Sequence, residues 1–146
     1  MGFFTALESS ASALTAQRLR MDTISENIAN ANTTRTENGT PYRRKTVIFQ
    51  AANGTPFSSY LSKASRERFS GGGVRVSAIV QDTTPFKSVY DPGHPDADEN
   101  GMVQMPNVEV VTEMVNMISA TRAYEANVTA INTTKSMASK ALEIGK

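Results

Sequence analysis

Cysteine is missing from the 146-residue chain. Disulfides, thiol nucleophiles and cysteine-ligated metal sites are excluded with it. Its absence fits a cytoplasmic protein, and equally one that leaves the cytoplasm without a disulfide step. Histidine is nearly absent too. The single residue, His94, sits in the loop sequence DPGHP and cannot build a multi-histidine metal site. Neither sign of charge dominates. A formal net charge of +1 gives no strong field toward nucleic acid or an acidic membrane surface. No apolar run approaches a membrane span. The opening residues, MGFFTALESSASAL, have neither a basic n-region nor a long h-region, so they are not expected to act as a cleavable secretory signal. Ala6 stands where a myristoylation motif needs Ser or Thr. The length is about that of one domain.

Proline and glycine are missing from two long stretches. From Phe4 to Ala31 neither occurs, and Leu7, Leu14, Met21 and Ile28 repeat every seven residues. Phe3, Ala11, Ile24 and Ala31 widen that line into an apolar stripe, with Glu8, Gln17, Arg18, Arg20, Asp22 and Glu26 opposite. The pattern predicts a helix. From Val108 to Ile144 a second helix is predicted. One line runs Val110, Met117, Tyr124, Ile131, Ala138, and another runs Met114, Thr121, Val128, Lys135, Leu142. Together they form a two-line heptad seam, imperfect at Thr121 and Lys135. Pro106 and Asn107 punctuate its start and Gly145 its end.

Between the helices the composition changes. PYRRKTVIFQA (41–51) and GVRVSAIVQD (73–82) read as strands, PFKSVYDP and GMVQMP as shorter ones. ENGTP, ANGTPF, SGGG and DPGHPDADENG read as turns. The expected class is α+β: long N- and C-terminal helices forming a coiled-coil-like stem, with a small β-rich middle region. The predicted division is 1–34 for the first helix, 35–107 for the β region and 108–146 for the second helix. A C-terminal helix of about 36 residues is about 54 Å long, and the N-terminal one about 40 Å. A small β region cannot cover both, and the seven-residue repeat calls for supercoiling against other helices. Those helices are expected to come from other chains.

Catalytic and metal readings are weak. Asp96, Asp98, Asn100 and Gly101 in DADENG match the first half of a calcium-binding loop, but Asn107 stands where the bidentate Glu belongs. A polar turn explains the same residues. SGGGVRV leads into a strand and lacks the Lys-Ser/Thr of a phosphate loop, so it reads as a flexible turn. No nucleophile elbow is present, and carboxylate pairs are too common in any chain to signal glycoside cleavage. The basic cluster YRRK (42–45) is expected on a strand's solvated face or at a partner contact. No catalytic residue, metal, cofactor, small-molecule substrate or nucleic-acid partner is expected.

The stretch SENIANANTT (25–34) ends the first helix in amides. Amide side chains at a helix interface hydrogen-bond across it in only one alignment, which fixes register. Asn27, Asn30 and Asn32 would so pair with Asn127 and Asn132. Simple helix capping is the alternative.

SENIANANTT resembles the N-terminal signature of bacterial flagellar axial proteins. In most of that family a Gly-Tyr follows soon after; here RTENGT intervenes and Pro41-Tyr42 stands in its place. The segment PNVEVVTEMVNMISATRAYEANVTAINTTKSMASKALEIG resembles the paired C-terminal signature, with Arg122, Tyr124, Glu125 and Asn127 in its RAYEAN core. YDPGHPDADENGMVQMPNVEVV and the short middle region narrow the similarity to the FlgC-type proximal rod family of the flagellar basal body, over essentially the whole chain.

The resemblance implies a non-enzymatic structural subunit. It would pass unfolded through the flagellar type III export apparatus and assemble beyond the inner membrane, in the periplasmic rod. Its terminal helices would pack around the export channel, with the β part outside, in the drive shaft that carries torque from the inner-membrane ring to the distal rod. Implied partners are copies of itself, other rod subunits, the inner-membrane ring base and its adaptor protein. The expected assembly residues are Leu7, Leu14, Met21, Asn27, Ile28, Asn30, Asn32, Val110, Met114, Met117, Arg122, Tyr124, Asn127, Val128, Ile131 and Leu142. Another rod or hook component is the alternative of the same kind; a calcium-dependent binding module or a peptidoglycan-acting enzyme is one of another kind. The course of 35–45 and the role of Lys135, at the seam's edge or facing the channel, stay open at this level.

Overall fold

The computed structural model describes residues 3–52 and 72–144. In chain order the elements are α1 (Phe3–Ala29), β1 (Lys45–Ala51), β2 (Val74–Gln81), β3 (Lys87–Tyr90), β4 (Met102–Met105) and α2 (Val110–Ile144). This is the α+β order that the patterning predicts. From Asn53 onward the ANGTPF turn lies outside the described residues, as do Ser70 and Gly71 of SGGG.

α1 stops at Ala29, two residues before the apolar stripe ends. The cause is Asn30. Its Nδ2 donates to the Glu26 carbonyl at 3.0 Å, and its Oδ1 accepts from Thr33 Oγ1 at 3.1 Å. A side-chain donor on one of the last helical carbonyls favours a turn over another helical residue. The two helices run antiparallel. Asn27 meets Glu113 near one end, and further along Thr121 Oγ1 donates to Met21 Sδ at 3.6 Å. The core is thin. Its buried apolar side chains include Ala16 and Ile24 on α1, Ala120 on α2, Val108 just before α2, and Tyr42 and Val103 from the middle region.

β1 and β2 form one antiparallel pair, from Lys45 opposite Gln81 to Ala51 opposite Val74. The register skips Ser77, a bulge that adds twist. The pair lies along α1 and is fixed at both ends. At one end Asn27 binds the Lys45 backbone. At the other, Ser12 Oγ accepts from the Val74 N–H at 3.1 Å and donates to the Ser9 carbonyl at 2.7 Å. The lengths agree to within a residue: fifteen helical steps from Ser12 to Asn27 rise about 22 Å, and six strand steps from Lys45 to Ala51, the residue opposite Val74, about 20 Å. Gly73 permits this contact. A Cβ there would stand 2.8 Å from Ser12 Oγ. The glycine read as a flexible turn is a close approach of strand to helix.

β3 and β4 form a second antiparallel pair, Lys87 opposite Met105 and Tyr90 opposite Met102. Asp98 builds the turn before β4: its Oδ1 accepts from the N–H groups of Asn100 and Met102, and Gly101 supplies the positive φ of 73°. Asp96 accepts from Thr34 Oγ1 at 2.8 Å and lies 3.7 Å from Arg35. The aspartates of DADENG thus serve the loop and its neighbour. Among the described residues no group of three or more His, Asp or Glu is placed to hold a metal ion.

The 35–45 connection doubles back. Thr36 N–H donates to the Thr40 carbonyl, Gly39 takes a φ of 72°, and the Tyr42 N–H returns to the Thr33 carbonyl at 3.1 Å. RTENGT is a closed turn that carries Tyr42 back beside the end of α1.

Candidate assembly interface

Where α1, the returning connection, β1 and α2 meet, one side chain holds all four. Asn27 is fully buried. Its Nδ2 donates to the Lys45 carbonyl at 2.8 Å and to Glu113 Oε2 at 2.9 Å. Its Oδ1 accepts from Tyr42 Oη at 3.0 Å and from the Lys45 N–H at 2.9 Å. Both amide donors and both acceptor sites are used, which fixes the orientation of the amide.

Glu113, 1% exposed, is the matching anion. Its Oε1 accepts from Arg44 Nε at 2.9 Å and Nη2 at 2.7 Å. A buried carboxylate is tolerable only with such pairing. Arg44 continues to Asp82 Oδ2 at 3.4 Å, and its N–H donates to Asn107 Oδ1 at 2.9 Å. Asn107 in turn donates to the carbonyls of Asp82 and Thr84. Burial alone would lower the Arg44 pKa, but hydrogen bonds and charge from Glu113 and Asp82 outweigh it, and the net shift is upward. Asp82 is held below the usual aspartate range, first by the Thr84 backbone N–H and side chain and then by Arg44. Tyr42 is pushed up to about 12 by burial and then by the charges of Glu26 and Glu113.

This junction corrects two sequence expectations. The amides of SENIANANTT do not pair with Asn127 and Asn132. Asn27 binds β1, Tyr42 and Glu113; Asn30 caps its own helix; Asn32 is exposed; Asn127 donates back to the Ala123 carbonyl at 2.7 Å. YRRK does not form a solvated basic face. Arg43 stacks 4.3 Å over the Phe86 ring, Arg44 turns inward, and Lys45 pairs with Glu26. Glu113, Arg44 and Tyr42 were missed as a set. The available signal was Glu113 itself, an acid inside the apolar run VVTEMV at helical spacing from Ala120.

The expected assembly residues divide by exposure. Leu7, Leu14, Met21 and Ile28 on α1, and Met117, Tyr124, Asn127, Val128 and Ile131 on α2, are half-buried. Val110, Met114, Arg122 and Leu142 are exposed. Lys135 is exposed as well. Beside Met114 lies an apolar stripe that the heptad lines did not include: Val111 (69% exposed), Val115 (61%) and Ile118 (53%). Spaced at i, i+4 and i+7, they share one helix face. No helix of the described residues is long and apolar enough to cross a membrane.

Comparison with known proteins agrees with the geometry at both ends. The family profile described as "Flagella basal body rod protein" matches residues 7–35, and that described as "Flagellar basal body rod FlgEFG protein C-terminal" matches residues 99–144. The chain is 55% identical to the flagellar basal-body rod protein FlgC of Bacillus subtilis, over the full length of both. It is 48% identical to that of Borreliella burgdorferi, over 99% of this chain and 98% of the relative. It is 42% identical to that of Salmonella typhimurium, over the whole of each. With helices at both termini, a small antiparallel middle region and full-length similarity of this degree, the chain belongs to the FlgC family of flagellar basal-body rod proteins and is a structural subunit of that rod.

Proposed function

We propose that the subunit assembles through its terminal helices into the proximal part of the rod, the drive shaft that joins the inner-membrane ring to the distal rod and transmits torque. The stem of residues 1–34 and 108–146 forms the axial core, and residues 35–107 lie outside it. The partners are copies of itself, other rod subunits, the inner-membrane ring base with its adaptor protein, and the type III export apparatus during transit. The subunit resides in the periplasm. Its role is mechanical and not catalytic.

The observation that carries this reading is the uncovered apolar face of α2. A helix of 35 residues has only Glu113 and Ala120 fully buried. Val111, Val115 and Ile118 remain in water on one face. Exposed contiguous apolar surface marks an interaction site, and in a rod subunit the covering surface is a neighbouring helix. The test is Val115→Asp and Ile118→Asp. Both positions are exposed in the single chain, so thermal stability of the purified protein should change little. Buried in a packed rod, each unpaired carboxylate should block assembly, with loss of motility while the exported amount is unchanged. Normal swimming, with the altered subunit present in isolated rods, would show that this face is not an assembly surface.

A further inference from the structure

A cleft of about 340 Å³ opens where α1, β1 and the first turns of α2 meet. Its apolar lining comes from Ile24, Val47 and Phe49, and Arg20, Arg44 and Lys45 bring positive charge against the single carboxylate of Glu113. Arg44 is engaged by Glu113 and Asp82, and Lys45 by Glu26. Arg20 differs: among the described residues it makes no ion pair or hydrogen bond. The cleft therefore suits an apolar segment that carries one carboxylate.

The chain itself carries such a segment at the far end of α2. From Glu113 to Ile144 that helix rises about 46 Å, whereas α1 rises about 36 Å from Asn27 back to Phe3, so about 10 Å of α2 extends past the described part of α1. On this overhang Leu142 is 77% exposed and Ile144 86% exposed. Glu143 lies between them, and the last turn has no basic residue, Lys140 being one turn earlier. An anion at a helix C-terminus is disfavoured by the helix dipole and gains from an external cation.

We propose that the α2 end of one copy seats in this cleft of the next, with Glu143 against Arg20 and with Leu142 and Ile144 supplying apolar surface to its lining. The proposal rests on the rod-subunit reading and specifies one of its self-contacts. Cleft and overhang lie at opposite ends of α2. A head-to-tail contact between them is heterologous and propagates, as a shaft requires, where an isologous contact would close into a dimer.

Charge reversal tests it. Arg20→Glu and Glu143→Arg should each lower the amount of subunit in isolated basal bodies by about tenfold or more, because like charges then face each other across the contact. The double variant restores the pair and should recover most of that amount. Full incorporation of both single variants, or failure of the double variant to recover it, would overturn the proposal. A second measurement does not depend on how these variants fold. With no native cysteine, Thr46→Cys with Ala141→Cys, which leaves Glu143 in place, allows a short bismaleimide to join only the introduced sites. Rods containing this subunit should yield a ladder of covalent multimers. Rods that contain it without a ladder would refute the contact and leave the rod function standing, whereas absence of the unaltered subunit from isolated rods would refute the function.

Discussion

Asn27 Nδ2 and Glu113 Oε2, 86 residues apart in the chain, are joined by a 2.9 Å hydrogen bond inside the molecule. Neither side chain is more than 1% exposed. The bond ties the end of α1 to the first turn of α2, and through Tyr42, Lys45 and Arg44 it ties both to the β region. A buried polar cluster of this kind holds one arrangement because every alternative leaves donors or acceptors unpaired.

Asn27→Ala should lower stability by about 3 kcal/mol, because it leaves a buried carboxylate oxygen, a buried phenol and the Lys45 backbone without their partner. Asn27→Asp should cost more at neutral pH, since it sets a second carboxylate against Glu113. Urea denaturation of the purified monomer measures both. A loss under about 0.5 kcal/mol for Asn27→Ala would mean that the junction does not hold the elements together.

Arg44→Ala should cost about 3–5 kcal/mol, the usual penalty for leaving a buried charge unpaired, and Glu113→Ala less, because Arg44 is partly exposed and keeps Asp82. The two losses should not add. A double-mutant cycle should return a coupling of about 1–3 kcal/mol, whereas strict additivity would show that the 2.7 Å contact contributes little. Arg44→Lys should not rescue, because one ammonium cannot reproduce the Nε and Nη2 contacts together with the bond to Asp82.

Two groups give the fold opposite pH limits. Tyr42 titrates at about 12 instead of near 10, so between those values the folded state holds a proton that the unfolded chain has released. Stability from this group is complete below pH 10 and falls as pH rises toward 12. Asp82 is shifted down, so its contribution is complete above the ordinary aspartate pKa near 4 and is lost as pH falls through its folded value. Tyr42→Phe should remove the tyrosinate step near 12 from an ultraviolet titration, and Asp82→Asn should flatten the acid limb of stability against pH. Unchanged curves for both variants would contradict these assignments.

Gly73→Ala should destabilise the chain by about 1–3 kcal/mol, the range for a methylene forced into packed surroundings. The added methyl would meet Ser12 Oγ, which already holds the Val74 N–H. Gly39→Asn makes the contrast. Its φ of 72° suits Asn better than other side chains and nothing lies within 4 Å, so the change should be small. Thermal midpoints of the two variants provide the measurement, and an equal effect at both positions would remove the case for close approach at Gly73.

The sequence by itself determined the elements. Seven-residue apolar repeats without proline or glycine mark α1 and α2, and β-branched runs bounded by turn residues mark the four strands, because these are local properties of backbone preference and side-chain period. Both ends also carried the family resemblance. The tertiary structure alone decided which polar side chains turn inward. Asn27 and Asn30 are three residues apart in one amide-rich stretch, yet one is the buried centre of the junction and the other caps its helix. Arg43, Arg44 and Lys45 are adjacent, yet they take a ring, a buried carboxylate and an exposed one. No periodicity distinguishes these cases. The fate of each polar group depends on the partner that the folded chain brings within about 3 Å of it; Asn30 finds its own on the same helix end, whereas those of Asn27 and Arg44 are distant in sequence, placed by the doubling back of RTENGT and the antiparallel return of α2.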